Sequence, residues 1–246
     1  MICFDKKGIS LITIFSRKDI KKLKFTLQSV VAFIDAIDEF IIIGGEINQK
    51  DKIKYFINNS FAKECLNKFK LIIENDNGVS HAFNKGIMYS SFEFLLFCNA
   101  GDKLLDIPKI REDDCIVMSS FLQRKKNGLK KLIKPFQDIS FPNKYVHPGC
   151  IISKNTFCQI GLFESKYKVA MDYNFFCKAR RNDIRFRIMD SPVVEMEPAR
   201  LSGEKITWRQ FYEPLIIAFN FCPLKLIKFL PIYLTIFLYK FFKNIF

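Results

Sequence analysis

The chain is expected to fold as an α/β protein: a mostly parallel sheet with helices on both faces, extended by C-terminal amphipathic helices. Three observations predict this. Apolar strand-like runs and segments of helical period alternate four times at short spacing between Ile9 and Cys98. Hydrophobic residues make up 49% of the 246 positions, enough for a full core and too many for wholesale disorder. Beyond Lys205 the composition changes to long apolar runs broken by lysines.

Ile9–Phe15 reads as a first buried strand, and Asp19–Phe33 as a helix with Leu23, Leu27, Val30, Val31 and Ile34 on one side. Phe40–Ile43 is a second strand, stopped by Gly44-Gly45, and Ile53–Phe69 a second helix. Leu71–Ile73, the helix Val79–Tyr89 and the strand Phe92–Cys98 complete the alternation. Further on, Lys125-Lys126-Asn127-Gly128 predicts a hairpin turn between Cys115–Leu122 and Leu129–Ile133. Lys134–Pro148 is irregular, Gly149–Ser153 a short strand, Asp172–Arg181 helical and Ile184–Met189 a strand. Ligands of parallel sheets gather outside the carboxyl ends of the strands. The polar segments after the first four strands, Ser16-Arg17, Gly44-Gly45-Glu46, Glu74–Gly78 and Asn99–Asp102, should therefore open onto one edge.

The net charge of +14 predicts attraction to polyanions. The lysines are spread out, with no recognisable module of stacking aromatics, so nucleic acid is not an expected partner. The eight cysteines form no C-x-x-C pair and only two histidines are present, which argues against structural zinc. Cys98, Cys115 and Cys177 lie in apolar runs and read as buried small hydrophobes. The first apolar run is too short for a secretory signal, so a reducing cytoplasm is expected.

Two carboxylates carry the chemical reading. Asp102 ends a tight polar turn at the exit of an apolar strand, a position suited to holding a metal ion. Asp172 opens a helix, Met171-Asp172-Tyr173-Asn174-Phe175-Phe176, and could act as a base across the same cleft. Together they suggest transfer chemistry on a phosphate-bearing substrate. Each also has a plain structural reading: a turn former and a helix N-terminal acid.

The order Asp76-Asn77-Gly78-Val79-Ser80-His81-Ala82-Phe83-Asn84-Lys85-Gly86, strand, Asn99-Ala100-Gly101-Asp102 resembles the family 2 glycosyltransferases of GT-A fold, bacterial surface-polysaccharide type. The likeness continues through His147-Pro148-Gly149, Gly161-Leu162-Phe163 and Ala170-Met171-Asp172-Tyr173, over roughly residues 8–203. It implies a GT-A, Rossmann-like domain over 1–203 and an inverting transfer of a sugar from a nucleotide-diphosphate donor to a glycan or lipid-linked acceptor. The setting it implies is bacterial surface polysaccharide or lipooligosaccharide synthesis. It also implies roles. Asp102 matches the last acid of a D-x-D-type motif and would hold Mg²⁺ or Mn²⁺; the first acid falls on Asn99 or Ala100. Asp172 matches the base that deprotonates the acceptor hydroxyl. Thr13 and Phe15 match positions that contact the nucleobase, and Asp76, Asn84, Lys85 and Asn99 fall beside the donor. The second strand lacks the family's base-reading Asp, for which either Glu46 or a different contact would substitute. His147 would meet phosphate or acceptor, or cap its loop; His81 is expected at the surface.

The tail, 204–246, is expected to lie on an anionic membrane surface. Its apolar runs Pro214–Leu224 and Phe229–Tyr239 are too short to span a bilayer, and Lys225, Lys228, Lys240 and Lys243 break them. The expected location is the cytoplasm, peripheral to the inner face of the cell membrane. Two other classes compete. Nucleotidyl transfer needs a Gly-rich loop after the first strand, which Ser16-Arg17-Lys18-Asp19 does not offer. A membrane-associated, non-catalytic scaffold of the same fold that binds nucleotide-sugar or glycan would account for the thin metal motif.

Overall fold

A computed structural model describes residues 6–16, 19–44, 49–74, 76–125, 127–135, 147–197 and 208–243. Its centre is a nine-stranded sheet ordered β3-β2-β1-β4-β8-β6-β9-β5, with β7 paired to β6. The strands are β1 Ile9–Phe15, β2 Glu39–Gly44, β3 Phe69–Ile72, β4 Phe94–Phe97, β5 Lys103–Leu104, β6 Ile116–Arg124, β7 Lys130–Ile133, β8 Ile151–Ser153 and β9 Phe186–Met196. The first four are mutually parallel, and β6 and β9 run the same way. β5, β7 and β8 run against them.

The helices are α1 Ile20–Val30, α2 Lys50–Ser60, α3 Val79–Tyr89, α4 Lys154–Ile160, α5 Met171–Arg181, α6 Trp208–Phe221 and α7 Pro223–Lys243. Strands covered on both faces must be apolar at every position. Accordingly Ile12, Ile41, Ile43, Leu95 and Phe97 face α3 and α5, while their neighbours Leu11, Phe40, Ile42 and Leu96 face α1 and α2. This is why the strands read as continuous apolar runs and the helices as amphipathic ones.

Three expectations are corrected. The helix anticipated over Ile53–Phe69 breaks after Ser60, because Phe61 turns extended and sets its ring 4.6 Å from that of Phe69, which already belongs to β3. The segment between is a short 3₁₀ turn, Lys63–Lys68. Cys115 is half-buried, not buried. The strand expected over Ile184–Met189 continues to Met196, and neither β5 nor α4 was anticipated. The hairpin is where it was expected, with Gly128 at φ +80° in the turn.

Gly86 lies where α3 crosses the sheet. A Cβ there would meet Ile12 Cγ2 at 2.6 Å and Ile43 Cδ1 at 3.2 Å. Gly86→Ala is therefore expected to destabilise the fold by roughly 1–2 kcal/mol, overpacking outweighing the helix propensity gained. The midpoint of urea unfolding checks this.

α6 and α7 form an antiparallel hairpin. Phe211 stacks on Tyr233 with ring centroids 5.6 Å apart, and Phe237 packs 4.4 Å from Phe211. Pro214, inside α6, has no N–H for the Gln210 carbonyl. The Tyr233 hydroxyl donates to that carbonyl at 3.0 Å instead. Among the described residues no helix is long and apolar enough to cross a membrane.

Candidate active site

Because β1 to β4 are parallel, their carboxyl ends share one edge, as expected from the polar segments that follow them. The turn Asn99–Asp102 leaves β4 there. Three contacts fold it: Asp102 N–H donates to Asn99 O at 3.0 Å, and the buried Thr26 hydroxyl of α1 donates to Asp102 O at 2.7 Å and accepts from Gly101 N–H at 2.9 Å. Gly101 adopts φ +101°, and a Cβ on it would lie 2.7 Å from Glu197 Oε2. The Asn-Ala-Gly-Asp order is thus set by turn geometry and by a carboxylate lying over it.

Asp102 is 5% exposed. Its Oδ1 accepts the Glu197 N–H at 2.9 Å. Burial pushes its carboxyl up to about 7, and the Glu197 carboxylate adds to the rise. The N–H groups of Glu197 and Asn99 and the charge of Arg124 oppose it. Glu197 is itself paired with Lys22 of α1. In the same turn Asn99 Oδ1 is buried with no hydrogen-bond partner among the described residues.

Asp172 is the second residue of α5. Its Oδ1 accepts from the following N–H, Tyr173, at 2.8 Å, and its Oδ2 lies 3.7 Å from His147 Nδ1. The imidazole is buried, and both ring nitrogens lack a hydrogen-bond partner among the described residues. Its apolar surroundings are Phe83 at 4.4 Å, Phe97 at 5.8 Å and Phe163 at 5.9 Å between ring centroids. Among the described residues Asp172 is the acid within ion-pair distance of it. Just after it, Gly149 N–H donates to Phe97 O at 2.8 Å, pinning this segment to the end of β4. Asp172 and Asp102 are thereby both tied to the exit of one strand. The field of Asp172 also contributes, after burial, to holding the Cys150 thiol well above its usual range.

The other predicted site residues are placed as follows. Thr13 is buried, its hydroxyl donating to Cys98 O at 2.6 Å, and the Phe15 ring is packed in the core under α1 and α2. Any contact from these two to a donor falls to the backbone. The Asn84 side chain is clamped to the main chain of Phe163, donating to its carbonyl at 2.8 Å and accepting its N–H at 3.0 Å. Lys85 is buried and ion-paired to Glu74 at 2.9 Å. The Asn-Lys-Gly motif therefore acts first within the fold: one residue holds a loop, one a strand end, one a helix crossing. Asp76 is exposed, its Oδ1 accepting from Gly78 N–H at 2.9 Å in the turn that starts α3. His81 is half-buried and accepts the Asn77 N–H at 3.2 Å. Glu46 and most of the Lys134–Pro148 loop lie outside the described residues.

One residue that supports Asp172, Glu213 of α6, is not among those singled out from the sequence. It is 1% exposed and accepts the N–H groups of Lys168, Val169 and Ala170 at 3.1, 2.8 and 3.0 Å. These donors precede α5 directly, so α6 anchors the segment that presents Asp172. The available signal was its isolation: it is the one acid after Lys205. Glu213→Ala, which strands three N–H donors, that of Ala170 buried and that of Val169 half-buried, is expected to cost about 2 kcal/mol, read as a lower urea midpoint.

A divalent cation needs several oxygen ligands. Among the described residues no three His, Cys, Asp or Glu side chains form a cage. What the turn offers is the Asp102 carboxylate and the unpartnered Asn99 Oδ1. This oxygen-only, charge-poor set fits a Mg²⁺ or Mn²⁺ ion that takes its remaining ligands from water or phosphate.

No family model and no curated protein matches this sequence. Solved structures do. The chain is similar to S. aureus TarS, with a TM-score of 0.57 and 18% identity over 87% of this chain and 39% of that one. TarS 1–349 in complex with UDP-GlcNAc gives 0.59 and 17%, over 86% of this chain and 65% of that one. TarS 1–349 in complex with UDP gives 0.56 and 16%, over 85% and 64%. The chain thus spans under two thirds of the length of each of these. At such identities the likeness bears on the fold, which is GT-A-like.

Proposed function

We propose that the chain is an inverting glycosyltransferase of the family 2 type. It would move a sugar from a nucleotide-diphosphate donor to a glycan or lipid-linked acceptor in bacterial surface-polysaccharide or lipooligosaccharide assembly. The observation that carries the reading is the placement of Asp102 and Asp172 at the exit of β4, on a fold shared with a protein crystallised with UDP-GlcNAc and UDP.

Asp172 is the base. Its Oδ2 makes no bond to the helix start and, facing His147 at 3.7 Å, would receive the acceptor's hydroxyl proton. His147, enclosed by three phenylalanines, positions that carboxylate. Asp102 and Asn99 would hold Mg²⁺ or Mn²⁺, which when bound supplies positive charge for the departing diphosphate. With Thr13, Phe15, Asn84 and Lys85 turned to internal contacts, donor recognition rests on backbone groups of the strand ends and on exposed Asp76. The role of Glu46 remains part of this proposal.

The α6–α7 hairpin would hold the enzyme on an anionic membrane surface at the cytoplasmic face. Trp208, Phe219, Leu224 and Ile227 are more than half exposed on it, alongside Lys225 and Lys228. Such a display of large apolar side chains is unusual for a surface meeting only water.

Incubation of the full chain with a panel of nucleotide-sugars and Mn²⁺ tests the proposal. Release of nucleoside diphosphate from one donor is the expected result. Saturable donor binding without turnover, in the presence of a range of acceptors, would favour the non-catalytic scaffold. Absence of binding by every donor would remove both.

A further inference from the structure

A polar cavity lies at the ends of the strands opposite Asp102. Its volume is about 670 Å³ and its lining includes Arg111, Arg180, Arg185, Arg187, Asp113 and Asp114. β6 and β9 start beside it, pairing in parallel at Ile116 with Phe186, so it stands at the opposite strand ends from Asp102. α5 joins the two edges, with Asp172 in its first turn and Arg180 in its last.

Lysine outnumbers arginine about three to one in this chain, yet four arginines and no lysine line the cavity. Two are committed. Arg187 forks onto Asp114 with contacts of 2.7 and 2.5 Å, and Arg185 pairs with Asp113 at 2.9 Å. Two are not. The Arg180 guanidinium stacks 3.8 Å from the centroid of Phe186, and its Nε is buried with no partner among the described residues. The Arg111 side chain is exposed and makes no hydrogen bond among the described residues; its charge reaches Asp114 only through space. Four guanidinium groups against two carboxylates leave a net positive cavity with planar donors unmatched.

Stacking occupies the face of a guanidinium and leaves its in-plane N–H groups to a ligand. Planar forks suit tetrahedral and carboxylate oxyanions better than the point charge of lysine does. The Asp113 and Asp114 pairs would hold two of the arginines in place, so that less side-chain freedom is lost on binding.

We propose that this cavity binds a phosphate group, with Arg180 and Arg111 as the principal ligands, at a site separate from the donor edge. The phosphate belongs either to a dissolved ligand or to an acidic lipid headgroup. The second source has a neighbour in its favour: Arg181, next to Arg180, lies 5.8 Å over Phe221, at the corner where α6 meets α7.

The test titrates the full chain with inorganic pyrophosphate and follows the arginine Nε–Hε resonances, assigned by single Arg→Lys variants. Pyrophosphate at the donor edge would not move these signals in a cavity-specific way. A second arm compares vesicles of phosphatidylcholine with and without phosphatidylglycerol. Saturable shifts at Arg180 and Arg111 are expected, with affinity falling roughly tenfold or more in Arg180→Gln and in Arg111→Gln. Arg111 is exposed, so its variant keeps the test available if Arg180→Gln folds poorly. Arginine-dependent binding of pyrophosphate alone assigns a dissolved ligand; arginine-dependent binding of anionic vesicles alone assigns a headgroup. Shifts that never saturate, or affinities for both probes unchanged in the two variants, overturn the proposal.

Discussion

Asp172→Asn is expected to lower turnover by about 10³-fold and leave donor affinity where it was. The amide is isosteric with the carboxylate, and its oxygen can still accept the Tyr173 N–H that Oδ1 accepts at 2.8 Å. The helix start should therefore survive, with an unchanged melting temperature. What is lost is the basic oxygen that faces His147 at 3.7 Å. Donor affinity measured by calorimetry separates this loss from a folding defect. Turnover within a few-fold of the parent chain would remove Asp172 from the reaction, because no amide can take the acceptor's proton.

Asp102 should make the metal-free fold less stable as pH rises. Its usual value is 3.8 and burial lifts it to about 7 in the fold. Between those values the folded chain holds a proton that the unfolded chain has released. The site's contribution is thus complete below about pH 4 and is lost as pH climbs through 7. A rise of about three units corresponds to roughly 4 kcal/mol. In a chain of this size that is on the order of 10 °C in melting temperature between pH 4 and pH 8. Comparing melts of the parent chain with Asp102→Asn isolates the effect from other carboxyls, since the amide does not titrate. A cation at Asp102 favours the charged form. Mn²⁺ should therefore stabilise the parent chain more at pH 8 than at pH 5 and have little effect on the variant. Identical pH slopes in the two proteins would mean that Asp102 is better hydrated than its burial implies.

Much of this architecture was legible before any coordinates. The strand Ile9–Phe15 and the helix Val79–Tyr89 have the bounds read from their pattern. One is a continuous apolar run and the other an amphipathic period, each bounded by polar or glycine turns, so local preference and tertiary demand agree. Where they conflict, the pattern misled. Phe61 continues a helical period, but the helix ends there because its ring is worth more against Phe69 than along the helix. α4 is seven residues long, and β5 only two. Neither is long enough to display a period.

The sequence picks out the segments of the candidate site but not the internal bonds their side chains make. Asp102 and Asp172 were identifiable because each ends or begins an element at a strand-exit edge. Asn84, Lys85 and Thr13 lie in the same segments, yet they bond to Phe163, Glu74 and Cys98. No local signal separates a polar residue aimed at a ligand from one aimed at a loop distant in sequence. Glu213 illustrates the converse, since its three N–H partners lie more than forty residues upstream.

Periodicity and turn chemistry alone dictated the alternation of strands and helices from β1 to β4 and the sheet edge onto which the polar turns open. These follow from local strand, helix and turn preferences, which a linear pattern records, although β1 and β4 themselves pair across a long stretch of chain. The tertiary structure alone decided which polar groups are spent on the fold and which remain uncommitted. It decided that the Asp102 carboxyl sits beside Glu197, that Asp172 faces His147, and that Arg111 and Arg180 share a cavity. Burial and pairing of charges are set by groups brought together from far along the chain, and the cost of an unpaired charge depends on which of them arrive.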